Sequence, residues 1–210
     1  MTPHDDPRSQ AVITIALRLF SALGYDSTSL QAVAEATGED PAWIQERFGE
    51  KRDLYLAVVD LAGRMERTVV QDALATLLPA TDAGQVATTL YGLSERYLDF
   101  CVANPQIPAL WLHRWLGDAA DIPEVERTHS IPLMNFTADA LRSAARAGFV
   151  DGEVDADLMV RTLVWSVYGF LHGEMIAEAG RSVSADPQAR HRFLAHHRQL
   201  LDRVLKLPGA

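Results

Sequence analysis

The side chains of this 210-residue chain best suited to metal binding or proton transfer are its seven histidines. His196 and His197 are adjacent, so on a helix they point about 100° apart, and His191 precedes His196 by five residues. Neither spacing puts two ligands on one helical face. For catalysis, His113 or His172 would need a nucleophile or carboxylate held at a fixed geometry, and no Gly-x-Ser-x-Gly, phosphate-binding glycine loop or metal motif accompanies them. Asp99, Asp118 and Glu174 are scattered along the chain. Cys101 is the single cysteine, which excludes an internal disulfide and a cysteine-based metal site and reads as a small buried hydrophobe. We therefore expect no catalytic residue, no metal and no cofactor. The chain is not expected to be an enzyme.

A second chemistry is charge. The net charge is −9, which opposes nonspecific coating of nucleic acid, because neutralising phosphates takes clustered Lys and Arg. A local patch is still compatible with it: Arg47, Lys51 and Arg52 fall close together. The composition, 48% hydrophobic and 22% charged, is ordinary for a globular protein, and the length suits one domain with a small appended module. The apolar run from Thr162 to Leu171 is far short of the roughly 20 residues of a membrane span. Asp5 and Asp6 stand where a secretory signal would be basic and then apolar, so the expected location is the cytoplasm.

The elements that must position these groups read as helices throughout. Val12, Ile15, Ala16, Leu19, Phe20 and Leu23 recur at helical spacing over 8–23, and Gly24 ends that pattern. Thr28 with Gln31 matches a capping box ahead of a short helix carrying Leu30, Val33 and Ala34, closed by Gly38. Asp40 and Pro41 open a third helix whose inward pair is Ile44 and Phe48, and Gly49 stops it. A long pattern then runs from Lys51 toward Pro79. Further helices are predicted over 83–103, 106–117, 123–147 with an interruption at Pro132, 155–179 and 187–206. The prediction is an all-α protein of about nine helices, divided into a three-helix module over 1–50 and a larger helical domain over 51–210.

Gly24 and Tyr25, Thr28 and Ser29, Val33 and Ala34, Gly38, then Ile44, Phe48, Lys51, Leu54 and Tyr55 form an ordered set over about fifty residues. That set resembles the amino-terminal module of TetR-family transcriptional regulators. The resemblance implies a helix-turn-helix whose second helix lies in the DNA major groove. It implies DNA contacts from Thr28, Ser29, Ala42, Trp43, Gln45, Arg47 and Lys51, with Lys51 on phosphate; the alternative for Trp43, as a large aromatic, is that it covers the module's core. After Gly38 the chain departs from the family pattern: Trp43 replaces a small groove-facing threonine, and Gln45 replaces a tyrosine that often bonds phosphate. Residues 1–58 also carry five basic side chains against nine acidic ones, a net charge of −4, opposite to the usual footprint of a DNA reader. The three positives form a contact edge provided that the acids point away.

In the larger part, helix 155–179 is apolar around much of its circumference and needs two partners. Val160, Leu163, Val167 and Leu171 on one face, with Phe193, His197, Leu200, Leu201 and Val204 of the last helix, are predicted to form a homodimer interface, as the resemblance also implies. Tyr97, Phe100, Trp111, Trp115, Trp165, Tyr168 and His172 supply the apolar lining with few polar groups that suits a small-molecule pocket between helices. An inward-facing Asp99 or Glu174 would favour a cationic ligand. The expectation is a homodimeric repressor that binds a palindromic double-stranded DNA operator and is released by a small apolar or aromatic effector. The rival is a dimeric small-molecule-binding protein whose acidic module no longer reads DNA.

Overall fold

The computed structural model describes residues 6–75, 77, 80–173 and 186–207. All regular structure among them is helical: α1 Pro7–Leu23, α2 Leu30–Thr37, α3 Pro41–Phe48, α4 Lys51–Leu74, α5 Ala83–Ala103, α6 Gln106–Trp115, α7 Ile131–Arg146, α8 Ala156–His172 and α9 Pro187–Leu205. A π-helical turn, Glu126–Ser130, leads into α7. The nine-helix plan read from the patterning is the one observed. The expected tails of the 51–79 and 155–179 patterns include Thr76, Leu78, Pro79 and 174–179, which lie outside the described residues.

Local chemistry sets the helix ends. Asp6 caps α1 by accepting the Ser9 N–H at 2.9 Å, with Pro7 in the first turn, where a missing N–H costs nothing. The capping box expected of Thr28 and Gln31 does not form. Ser29 caps α2 instead, its hydroxyl accepting from the Ala32 N–H at 3.1 Å, while the buried Thr28 hydroxyl donates to the Gly24 carbonyl at 2.7 Å. Asp40 caps α3 through the Ala42 N–H at 2.7 Å. Gly38, between α2 and α3, is left-handed with φ +71°, a conformation that L side chains resist. The predicted 123–147 helix resolves into the π-helical turn and α7, with Pro132 in the first turn of α7.

The described chain forms two compact units: residues up to Met65 with Asn104–His129, and Glu66–Ala103 with Ser130 onward. That division differs from the boundary read at 50/51, since α4 contributes to both units and α6 belongs with the first. In the first unit, α1 packs against α2 and α6, and α2 against α3. Val12, Ile13, Leu17, Phe20, Val33, Ile44, Phe48, Leu54 and Tyr55 are buried there, and Phe20 meets the Tyr55 ring edge-on at 5.1 Å. In the second unit, α5 packs against α8 and α9, and α7 against α8. Its core includes Leu98, Val167, Phe170, Phe193, Leu201 and Leu205, with Phe170 and Phe193 stacked at 4.3 Å. No helix among the described residues is long and apolar enough to cross a membrane.

Candidate functional site

The helix α3 turns Ile44 and Phe48 inward and leaves Ala42, Gln45 and Glu46 exposed. That outward face is where the sequence places groove contacts. Trp43 is half-buried: it meets Phe48 edge-on at 6.3 Å and carries the Arg8 guanidinium 3.7 Å above its ring. It thus covers the core of the module as well as edging the surface. Arg8 is held from the other side by both carboxylate oxygens of Glu39, with Nε at 3.0 Å from each.

Arg47, the only basic residue on α3, is also engaged. Its Nη2 donates to Asp6 Oδ2 at 2.6 Å and its Nε to Ser9 Oγ at 2.8 Å. Ser9 Oγ in turn donates to the same Asp6 oxygen at 2.6 Å. The Ser9 and Arg47 bonds hold the Asp6 carboxyl well below the usual carboxylate range, so it stays ionised. The condition that the acids point away from the positive edge is therefore not met. Arg52 extends the pattern by pairing with Glu124.

Lys51, the predicted phosphate contact, donates to the Tyr25 carbonyl at 3.0 Å with its ammonium 4.2 Å from the Tyr25 ring. The same turn is gripped by Asp118, whose carboxylate accepts the backbone N–H groups of Tyr25 at 2.6 Å and Asp26 at 3.1 Å. Asp118 is set in place by Arg114, which donates to the Asp118 carbonyl at 2.9 Å, to the Ile122 carbonyl at 3.0 Å, to the Ala119 carbonyl, and to both Glu126 oxygens. Of the seven residues singled out for DNA, Ser29, Ala42 and Gln45 are exposed, and Trp43, Arg47 and Lys51 are half-buried. Thr28 is buried, and its hydroxyl donates to the Gly24 carbonyl.

In the second unit the structure brings together Tyr97, Phe100 and Tyr168 of the residues predicted to line a pocket. Tyr97 stacks with Phe100 at 6.4 Å and with Tyr168 at 6.5 Å. Both tyrosine hydroxyls meet a carboxylate that sequence reasoning missed: Tyr97 donates to Glu66 Oε1 at 2.5 Å and Tyr168 at 3.3 Å, with the two hydroxyl oxygens 3.0 Å apart. Glu66, Tyr97 and Tyr168 are all buried, and burial beside the carboxylate pushes both phenols well above their ordinary pKa, so they act as neutral donors. Burial likewise pushes the Cys101 thiol up, keeping it protonated. Trp111, which is buried, and Trp115, which is exposed, belong to the first unit. Trp165 and His172 are exposed on α8. Asp99 is exposed and pairs with Arg190 at 2.7 Å, and Glu174 lies outside the described residues.

Of the residues predicted for the dimer face, Val160, Val167, Phe193, His197 and Leu201 are buried within the chain itself. Leu163, Leu171 and Leu200 are half-buried, and Val204 is exposed. The outward stripe of α8 is instead Leu158, Thr162, Trp165, Gly169 and His172, with Leu158 59% and Trp165 50% exposed. The periodicity showed two apolar faces, and the packing of α5 and α7 against α8 decided which one turned inward.

Residues 12–58 match the family model described as bacterial regulatory proteins, tetR family. No curated protein matches the chain. Its fold is similar to solved structures over nearly the whole length. The TetR-family transcriptional regulator PfmR of Thermus thermophilus is 21% identical, covering 95% of this chain and 97% of that one, with a TM-score of 0.67. The ketosteroid transcriptional regulator KstR2 of Mycobacterium tuberculosis is 12% identical, covering 96% of each, with a TM-score of 0.68. The fatty acid degradation regulator FadR of Bacillus halodurans is 19% identical, covering 94% and 95%, with a TM-score of 0.66.

Proposed function

We propose, from a TetR-family module at residues 12–58 carried on a TetR-like helical fold, that this chain is a transcriptional repressor. It binds a palindromic DNA operator as a homodimer and releases it when a small effector enters the second unit. The observation that carries this reading is the pair of short helices α2 and α3 around the left-handed Gly38, with the face bearing Ala42, Gln45 and Glu46 open to a major groove. The second copy is taken on the exposed apolar stripe of α8, whose Leu158 and Trp165 are costly to leave in water. The effector is taken at the buried cluster of Tyr97, Phe100 and Tyr168, where Glu66 and the two hydroxyls supply the few polar groups that orient a mostly apolar ligand. Effector binding releases DNA if it favours a dimer whose recognition helices no longer fit successive major grooves, about 34 Å apart.

The test is a gel-shift with the DNA that flanks the coding region. A specific complex that weakens with added salt supports the repressor. Failure to form any complex at low salt favours the rival, a dimeric small-molecule-binding protein that has lost DNA. Compounds that dissociate the complex should lose their effect in Glu66→Gln and Tyr97→Phe variants that still bind DNA.

A further inference from the structure

We infer that Asp6 and Glu39 act as internal anionic stand-ins for DNA phosphate, closing Arg47 and Arg8 so that DNA must displace a carboxylate to gain each arginine. This rests on the DNA-binding reading above and concerns how strongly that binding is held in check. The geometry is that of an occupied anion site. Arg47 presents Nη2 to Asp6 Oδ2 at 2.6 Å while Ser9 Oγ bridges the Arg47 Nε and the same carboxylate oxygen. Arg8 spreads over Trp43 and meets both Glu39 oxygens, the bidentate arrangement that an arginine also offers to phosphate. Both pairs lie beside α3, and both are open to water: the Arg47 and Asp6 side chains are 33% and 43% exposed. Pairs so placed are weakly held, and a phosphate can exchange into them.

The exchange has a defined cost. When Arg47 turns to DNA, Asp6 keeps its bonds from the Ser9 N–H and hydroxyl, so α1 stays capped. The carboxylate remains ionised beside the incoming phosphates, and its repulsion cancels part of each contact. Glu39 does the same when Arg8 leaves. The wild-type chain should therefore bind DNA weakly and with a shallow salt dependence, because few phosphates are neutralised net.

Asp6→Asn separates this role from a structural one, since asparagine caps a helix as well as aspartate while carrying no charge. Binding of the full-length protein to a fluorescein-labelled random-sequence duplex, and to the duplex flanking the coding region, would be followed by anisotropy over a series of KCl concentrations. Asp6→Asn should tighten binding to both duplexes by roughly threefold or more at low salt and steepen the log–log salt slope by about one per protomer. Glu39→Gln should do the same through Arg8. In an Arg47→Ala background the Asp6→Asn gain should vanish. Wild-type binding with no gain in either variant, at unchanged helical content, overturns this inference and leaves the repressor reading intact. A gain that persists without Arg47 also overturns it, because the effect is then one of overall charge. Absence of binding by wild type and variants alike overturns both readings, whereas binding that appears only in the variants supports the stand-in role.

Discussion

His197 enters the core of the second unit as a neutral ring, stacked on Phe193 at 4.3 Å with its Nε2 2.5 Å from the Ser166 hydroxyl. Burial, with a smaller push from His196, lowers its pKa to about 4, so the charged form is disfavoured in the folded chain. The unfolded chain takes up this proton first as pH falls, and stability is complete above the ordinary histidine pKa of about 6.5. It declines as pH drops from there toward 4, by about 3 kcal/mol across the window. Urea unfolding measured from pH 7 to 4 should show that slope, and His197→Leu should flatten it. Ser166 loses nothing in that variant, because its hydroxyl already donates to the Leu163 carbonyl at 2.8 Å. The periodicity placed His197 on an apolar stripe, yet it could not say whether that stripe faced the chain's own core or a second copy. The same limit hid Glu66, whose burial depends on meeting Tyr97 and Tyr168 from helices distant in sequence.

At the scale of elements, helix existence and boundaries were legible because caps are local chemistry. Asp40 with Pro41 and Asp186 with Pro187 mark the starts of α3 and α9, and each cap is made. Asp6 with Pro7 carries the same signal at α1, one residue before the start read from the apolar spacing. What stayed illegible was how the segment between α6 and α7 is held, because the helix read over 123–147 says nothing of the long-range contacts that fix its course. That segment is organised by one buried side chain, Arg114, whose donors reach three carbonyls and Glu126. Its order in turn fixes Asp118 on the Tyr25 turn of the helix-turn-helix. Arg114→Met should cost about 3 kcal/mol or more, since it leaves buried acceptors and Glu126 without their donor. Arg114→Lys should not restore the loss, because an ammonium cannot span the acceptors that the planar guanidinium reaches. Both are measured by urea unfolding, and a Lys variant as stable as wild type would reduce Arg114 to a simple charge partner.

For the whole molecule, the proposed homodimer depends on which α8 residues remain for a second copy once the second unit has packed. Val167 is buried in the chain, whereas Leu158, Thr162, Trp165, Gly169 and His172 form one stripe along the outside of the helix. In the proposed homodimer this stripe is the self-complementary surface: across a two-fold axis the same residues would meet on both copies, with Gly169 allowing close approach. Substituting either side separates the two roles. Trp165→Glu should give a folded monomer, because it puts two carboxylates into the shared interface at a position half exposed in the single chain, whereas Val167, Phe170 and Phe193 are buried. Val167→Glu should instead unfold the second unit at any protein concentration, because it buries an unpaired charge in the chain's own core. Light scattering reads the first outcome and circular dichroism the second. A Trp165→Glu protein that stays dimeric at micromolar concentration would remove α8 from the interface. If Trp165→Glu is monomeric and also loses operator binding while keeping its weak affinity for random duplex, operator recognition requires two modules held at a fixed spacing, as a palindromic site demands.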